Sequence, residues 1–153
     1  LEKLTHIDVT GHPQMVDVSG KQPTLRAARA EGWVRLKPAH REAIGSLPKG
    51  DALAVAQIAG IQGGKRCSDL IPLCHPVALT DLSVSLGVQD GGIRIEAVAK
   101  TVAVTGVEME AYTAVVVAGI TLIDMLKSVD PDLQLDGVRL LEKTGGKNDY
   151  RRS

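Results

Sequence analysis

Apolar and polar positions alternate along the chain in segments of two different periods. Leu82, Val84, Leu86 and Val88 are separated by polar or small residues, and Ile93, Ile95, Ala97 and Val98 follow after Asp90-Gly91-Gly92. A period of two around a glycine-rich turn predicts a β-hairpin. Leu133, Leu135, Val138, Leu140 and Leu141 predict a further strand, followed by a turn at Gly145-Gly146-Lys147. Thr24 to Leu36 is mixed: Ala27, Ala28 and Ala30 favour helix, whereas Gly32, Trp33 and Val34 favour strand. We read it as a strand. The remaining apolar stretches suit helices. Pro38 to Leu47 begins on a proline and stops before Pro48, which predicts a short helix. Asp51 can cap a second helix whose apolar face is Leu53, Val55, Ala56, Ile58, Ala59 and Ile61, with Gly63-Gly64 ending it. Thr105-Gly106-Val107-Glu108 has the spacing of a capping box opening the longest helix, about Val107 to Val129, with Pro131 just beyond.

The order strand, helix, strand, strand, helix, strand is a split βαβ pattern. It predicts an α+β sandwich of ferredoxin-like type, an antiparallel sheet with both helices on one face. Residues 1–22 read as an N-terminal arm, with Met15-Val16-Asp17-Val18 extended, lying on its own domain or a neighbour; 23–147 form one domain, and 148–153 a polar tail. Alternating apolar residues on an exposed sheet face would favour oligomers.

Composition narrows the function. Formal net charge is zero, so no global field draws the chain to nucleic acid or anionic membrane, and an anion site must be a local cluster of bases. The aromatics are Trp33, Tyr112 and Tyr150, with no Phe, too few for a platform that stacks single-stranded bases. The apolar run Ala114 to Ile123 is too short to span a bilayer and reads as a buried helix. Cys67 and Cys74 form no Cys-x-x-Cys pair, and no apolar run follows Lys3; both point to a reducing cytoplasm.

Chemistry concentrates in the stretch Lys65 to Pro76, which carries bases, a carboxylate, both cysteines and His75. Pro72 and Pro76 exclude continued helix or a central strand between Ile71 and Pro76, so an ordered loop is expected. Zinc bound by Cys67, Asp69, Cys74 and His75 is not expected, because the usual ligand spacings are absent. Neither a serine-nucleophile elbow nor a phosphate-binding G-x-x-x-x-G-K-S/T loop occurs. Three other groups stand out. Lys49 sits on a turn before a helix N-terminus, where backbone donors and an ammonium can hold an anion together. Glu108 has a capping role available, which leaves Glu110 as the better functional candidate. Asp124 follows a strongly apolar run and is expected to be partly buried; three residues on, Lys127 can tune it for proton transfer. Glu110 and Asp124 lie roughly 21 Å apart along a continuous helix but within about 40° of one face. One small-molecule site using both would need two copies of the chain, related by a two-fold axis.

Several motifs occurring in one order carry a resemblance. Met15-Val16-Asp17-Val18, Lys49-Gly50-Asp51, Ala59-Gly60-Ile61-Gln62, Asp69 through Pro76, Thr105 through Ala111, and Asp124-Met125 are similar to those of the molybdenum-cofactor biosynthesis protein C family, the cyclic pyranopterin monophosphate synthases. The match runs from about Leu4 to Lys147. The resemblance implies a ferredoxin-like subunit in a hexamer of three dimers, with sites at the dimer interface. It implies conversion of 3′,8-cyclo-7,8-dihydroguanosine 5′-triphosphate to cyclic pyranopterin monophosphate with loss of pyrophosphate, without a redox cofactor or essential metal, although magnesium can accompany the triphosphate. Residue by residue, it implies Asp124 as the catalytic aspartate and Lys49 and Lys127 as essential lysines. Leu73, Cys74, His75, Met109 and Glu110 would contact substrate, with Lys65 and Arg26 as nearby bases. Cys67 stands where relatives often carry Thr, Val104 where many have a base, and Asn148-Asp149 where Ser-Gly is commoner. Two other readings are open to such a fold: a nucleotide-binding regulatory module without turnover, and an assembly subunit without a ligand.

Overall fold

The computed structural model describes residues 6–153. Five strands, β1 (Thr24–Arg35), β2 (Leu79–Gln89), β3 (Gly92–Ala103), β4 (Gln134–Thr144) and β5 (Tyr150–Arg151), form one sheet in the order β2-β3-β1-β4-β5. All pairings are antiparallel. A 3-10 helix (Pro38–Gly45), α1 (Ala52–Lys65), the single turn α2 (Cys67–Leu70) and α3 (Glu108–Leu126) are the helices among the described residues. This is the ferredoxin-like arrangement that the alternating segments predict. The polar tail departs from expectation, since Tyr150 and Arg151 add an edge strand to β4.

Strand β1 resolves its mixed propensity through burial. Ala28, Ala30 and Val34 lie on the helix-facing side with Ile93, Ile95, Ala97 and Ala99 of β3 and Val84 of β2. Small residues here let the helices approach closely; a Cβ on Gly32 would come within 2.7 Å of Val115 on α3. The register of β4 against β1 shifts between Glu31 and Trp33, where Gly137 takes a left-handed φ of 60°. The outer face of the sheet is charged rather than apolar. Glu31, 4% exposed, takes ion pairs from Arg94 at 2.7 Å and Arg139 at 2.6 Å, while Arg29 reaches Glu96 and Glu142. Leu25 and Val102, paired across β1 and β3, are the exposed apolar residues of that face near one end.

The two long helices differ from expectation at their ends and faces. Asp51 caps α1 by accepting from the Leu53 and Ala54 amides. The helix then runs through Gly63-Gly64 to Lys65 instead of stopping there. Its buried face is Ala52, Ala56, Gly60, Gly63 and Gly64, and Val55 and Ile58 point outward. The glycines serve close packing: Cβ atoms on Gly60, Gly63 and Gly64 would lie within 3.0 Å of Ala114, Val117 and Leu82 atoms. At 19 residues and a mean hydropathy of 1.6, α3 has the length and composition of a bilayer-crossing helix. Its inner face, from Ala111 and Ala114 through Ala118 to Leu122, is nevertheless covered by α1 and the sheet, as in the core helix of a globular fold.

Candidate active site

A cavity of about 430 Å³ opens at the N-terminal end of α3. Leu73, Cys74 and His75 form one wall, Met109 and Glu110 in the first turn of α3 another, and Val16, Val18 and Lys21 of the arm close it. The two-proline segment makes an ordered wall from Ile71 on, as expected, and Cys67 to Leu70 before it form a helical turn. His75 donates from Nε2 to the Val16 carbonyl at 2.7 Å, since a carbonyl oxygen can only accept. In the neutral ring, Nδ1 is then left as an acceptor.

The capping box does not form. Val107 takes the cap position without a side-chain hydrogen bond, and Glu108 turns away over Gly106 to pair with Lys143 at 3.2 Å. Glu108 thereby separates the cavity from a second hollow of about 140 Å³, lined by Arg26, Lys143, Gly146, Lys147 and Asn148. Arg26 is fixed by donating to the Ala103 carbonyl. Three bases thus gather around one hollow within a chain of zero net charge, with Glu108 beside Lys143 on its wall.

Glu110 is 5% exposed yet lines the cavity. Burial pushes its pKa up, and the Glu108 carboxylate adds to the rise. A carboxyl held toward its protonated form is suited to act as an acid. Because the folded pKa lies above the ordinary value of 4.5, the folded state holds this proton more tightly than the unfolded chain. The Glu110 contribution is therefore most favourable at low pH and declines as pH rises from 4.5 through the folded pKa. Glu110→Gln should gain in unfolding temperature relative to the parent over that rise, as measured by thermal melts in a pH series; parallel curves would exclude the effect.

Burial holds both cysteines toward the protonated thiol. Cys67 is buried, accepts a hydrogen bond from Thr113 Oγ1, and has its pKa pushed up to about 12 by burial. Burial also raises Cys74. Among the described residues no group of three or more His, Cys, Asp or Glu is arranged to hold a metal ion.

Asp124, Lys49 and Lys127 meet at the other end of α3. Lys127 Nζ lies 2.7 Å from Asp124 Oδ1, and Lys49 Nζ lies 3.6 Å from Oδ2 and donates to the Asp124 carbonyl at 3.0 Å. Asp124 is 58% exposed rather than partly buried. The apolar run before it misleads because Ile120, one turn earlier on the same face, is itself exposed. The hydrogen bond from Lys127, then the charges of Lys127 and Lys49, hold the Asp124 carboxyl below its usual range, so it is a carboxylate at neutral pH.

The structure thus gathers Leu73, Cys74, His75, Met109 and Glu110 around the cavity and places Arg26 in the adjoining hollow. Lys65 lies elsewhere, in a groove between the end of α1 and β2 beside Asp81. Lys49, Asp124 and Lys127 form their own cluster. Sequence reasoning passed over Lys21, Lys143 and Lys147, which follow strand or turn signals that mark structure and carry no sign of a site, and it set Glu108 aside as a cap.

A model of the MoaC family matches residues 15–146. The chain belongs to that family. Proteins similar to it along nearly their whole length include the cyclic pyranopterin monophosphate synthase of Deinococcus radiodurans, 55% identical over 152 residues, or 97% of this chain and 90% of the relative. The synthase of Streptomyces griseus is 54% identical over 99% of this chain and 87% of its own length. That of Roseiflexus sp. is 50% identical over 97% of this chain and 96% of its own.

Proposed function

We propose that this chain is a cyclic pyranopterin monophosphate synthase of molybdenum cofactor biosynthesis. It converts 3′,8-cyclo-7,8-dihydroguanosine 5′-triphosphate to cyclic pyranopterin monophosphate and pyrophosphate. The observation that carries this reading is identity of half or more, over nearly full length, to synthases of that name. The cavity falls in the size range of small-molecule sites, and the adjoining bases Arg26, Lys143 and Lys147 suit a triphosphate. Asp124, ionised beside two ammonium groups, takes and returns the proton during ring opening. Lys127 and Lys49 stabilise developing negative charge, and His75 and Glu110 hold or protonate the purine side. No redox cofactor or resident metal enters this scheme; magnesium would arrive with the triphosphate. Two free thiols suit a cytoplasmic setting.

One copy of the chain places the cavity and the Asp124 cluster at opposite ends of α3. In this reading a two-fold pair brings the Asp124 end of one copy to the cavity of the other, and three such dimers make a hexamer. Ile58 and Ile120, both more than half exposed, offer apolar surface for the partner to cover. Incubation with the cyclised triphosphate should release pyrophosphate and a pterin together. Stoichiometric binding without product would favour the regulatory reading instead. Chains carrying Asp124→Ala and His75→Ala, each inactive alone, should recover roughly a quarter of parental turnover when co-assembled at random, since half of the pairs keep one intact site. Absence of recovery would mean that each copy works alone.

A further inference from the structure

Asp130, in the turn that leaves α3, is a buried carboxylate with no part in the scheme above. It is 1% exposed. Its Oδ1 accepts from the Asp132 amide at 3.0 Å and lies 3.8 Å from Lys37 Nζ. Its Oδ2 lies 3.0 Å from His40 Nδ1 and accepts from the Lys37 amide at 3.5 Å. One carboxylate thereby joins the exit of β1, the 3-10 helix and the turn before β4. The His40 imidazole beside it, more than any other neighbour, holds its carboxyl below the usual range.

The segments it joins carry the reacting cluster. Lys127 lies three residues before Asp130, and its amide bonds to Ile123 in the same closing turn that the Asp130 amide completes on Leu126. Lys49 lies nine residues beyond His40, on an exposed turn closed by the Gly50 amide on Leu47. Buried Ile44 and half-buried Leu47 hold this segment down, but apolar contact has no direction. Nor can the cluster orient itself, because its three side chains are 49%, 58% and 62% exposed, and exposed ion pairs are weak. The polar contact joining that segment to the end of α3 is the buried Asp130 carboxylate, 3.0 Å from His40 Nδ1 and accepting from the Lys37 amide.

We propose that Asp130 is a positioning residue: its buried carboxylate clamps the segment bearing Lys49 to the end of α3 and so sets the Lys49 ammonium against Asp124. The inference rests on the reading that Lys49 acts on substrate, and its test has one arm that does not. Asp130→Asn keeps shape and one acceptor while removing the charge that holds Lys37 and His40. Turnover should fall about tenfold or more in kcat/KM, as expected when a reacting group is misplaced by about 1 Å. Without substrate, an amine-directed reagent followed by peptide mass spectrometry should label Lys49 several-fold faster than in the parent, with Lys65 unchanged. Unchanged kcat/KM, lost turnover with unchanged Lys49 labelling, or equal acceleration at both lysines would each overturn the proposal. Should Asp130→Asn not fold, His40→Asn leaves the carboxylate on its two amide donors and should show the same selective labelling of Lys49; parental labelling would count against the clamp. If instead Lys49→Ala keeps normal turnover, it is the assignment of Lys49 to the reaction that falls, and the labelling arm still decides the clamp.

Discussion

Asp124→Ala is expected to lower turnover by about 10² to 10⁴-fold, the usual contribution of a positioned acid or base, while the protein keeps its assembly and its thermal transition. Both halves follow from the same geometry. The carboxylate is held ionised by the Lys127 hydrogen bond and by the two ammonium charges, so it is ready to accept a proton at neutral pH. It is also more than half exposed and pairs with lysines that are themselves in water. Removing it leaves nothing buried and unpaired, which is why stability should hardly move. Lys49→Ala and Lys127→Ala should behave alike. Asp124→Asn sharpens the test, because it preserves size, an acceptor for Lys127 and the main-chain carbonyl that Lys49 uses, and should still be nearly silent. A variant with near-normal product formation would remove Asp124 from the chemistry, and a large drop in melting temperature would show that it supports the fold instead.

The second large effect concerns stability. Gly60 on α1 faces the carbonyl oxygen of Ala114 on α3, and a Cβ there would sit 2.9 Å from that oxygen and 3.0 Å from the Ala118 methyl. In an open helix, replacing glycine by alanine stabilises by about 1 kcal/mol. Here the added methyl presses on backbone, which cannot rotate aside, and overpacking typically costs about 1–3 kcal/mol. Gly60→Ala is therefore expected to destabilise despite its better helix propensity, and Gly60→Leu to lose more than about 3 kcal/mol or fail to fold. Denaturant unfolding of both variants checks this. A more stable Gly60→Ala would mean that the seam has room to yield.

The architecture was legible because its signals are periodic. Leu82 to Val88 and Ile93 to Val98 carry the hairpin in their alternation, and Asp51 marks the start of α1. What escaped was decided by three-dimensional neighbours. Gly63-Gly64 has the look of a helix stop, yet α3 approaches so closely that glycine is needed inside the helix. Thr105 and Glu108 have capping-box spacing, but Lys143, distant in sequence, draws the Glu108 carboxylate away. Asp124 follows apolar residues whose outward member, Ile120, cannot be told from its inward ones by composition. The candidate site was legible as motifs and not as geometry. Leu73-Cys74-His75 and Met109-Glu110 share a cavity, whereas Lys65, only eight residues before Leu73, lies in a different groove because the α2 turn intervenes.

The seam between α1 and α3 has one more consequence. It sets Gly60, Gly63 and Gly64 against Ala114, Val117 and Ala118, of which all but Val117 have no rotamers to exchange. Ordering them on folding costs little side-chain entropy, and once packed they offer no alternative conformers through which the helices can slide. The helical layer should therefore behave as a stiff spacer, with the cavity at one end of α3 and the Asp124 cluster a set distance away at the other. Any second copy that completes the site has to match that span, so alignment between subunits would be a matter of length standardised within each one.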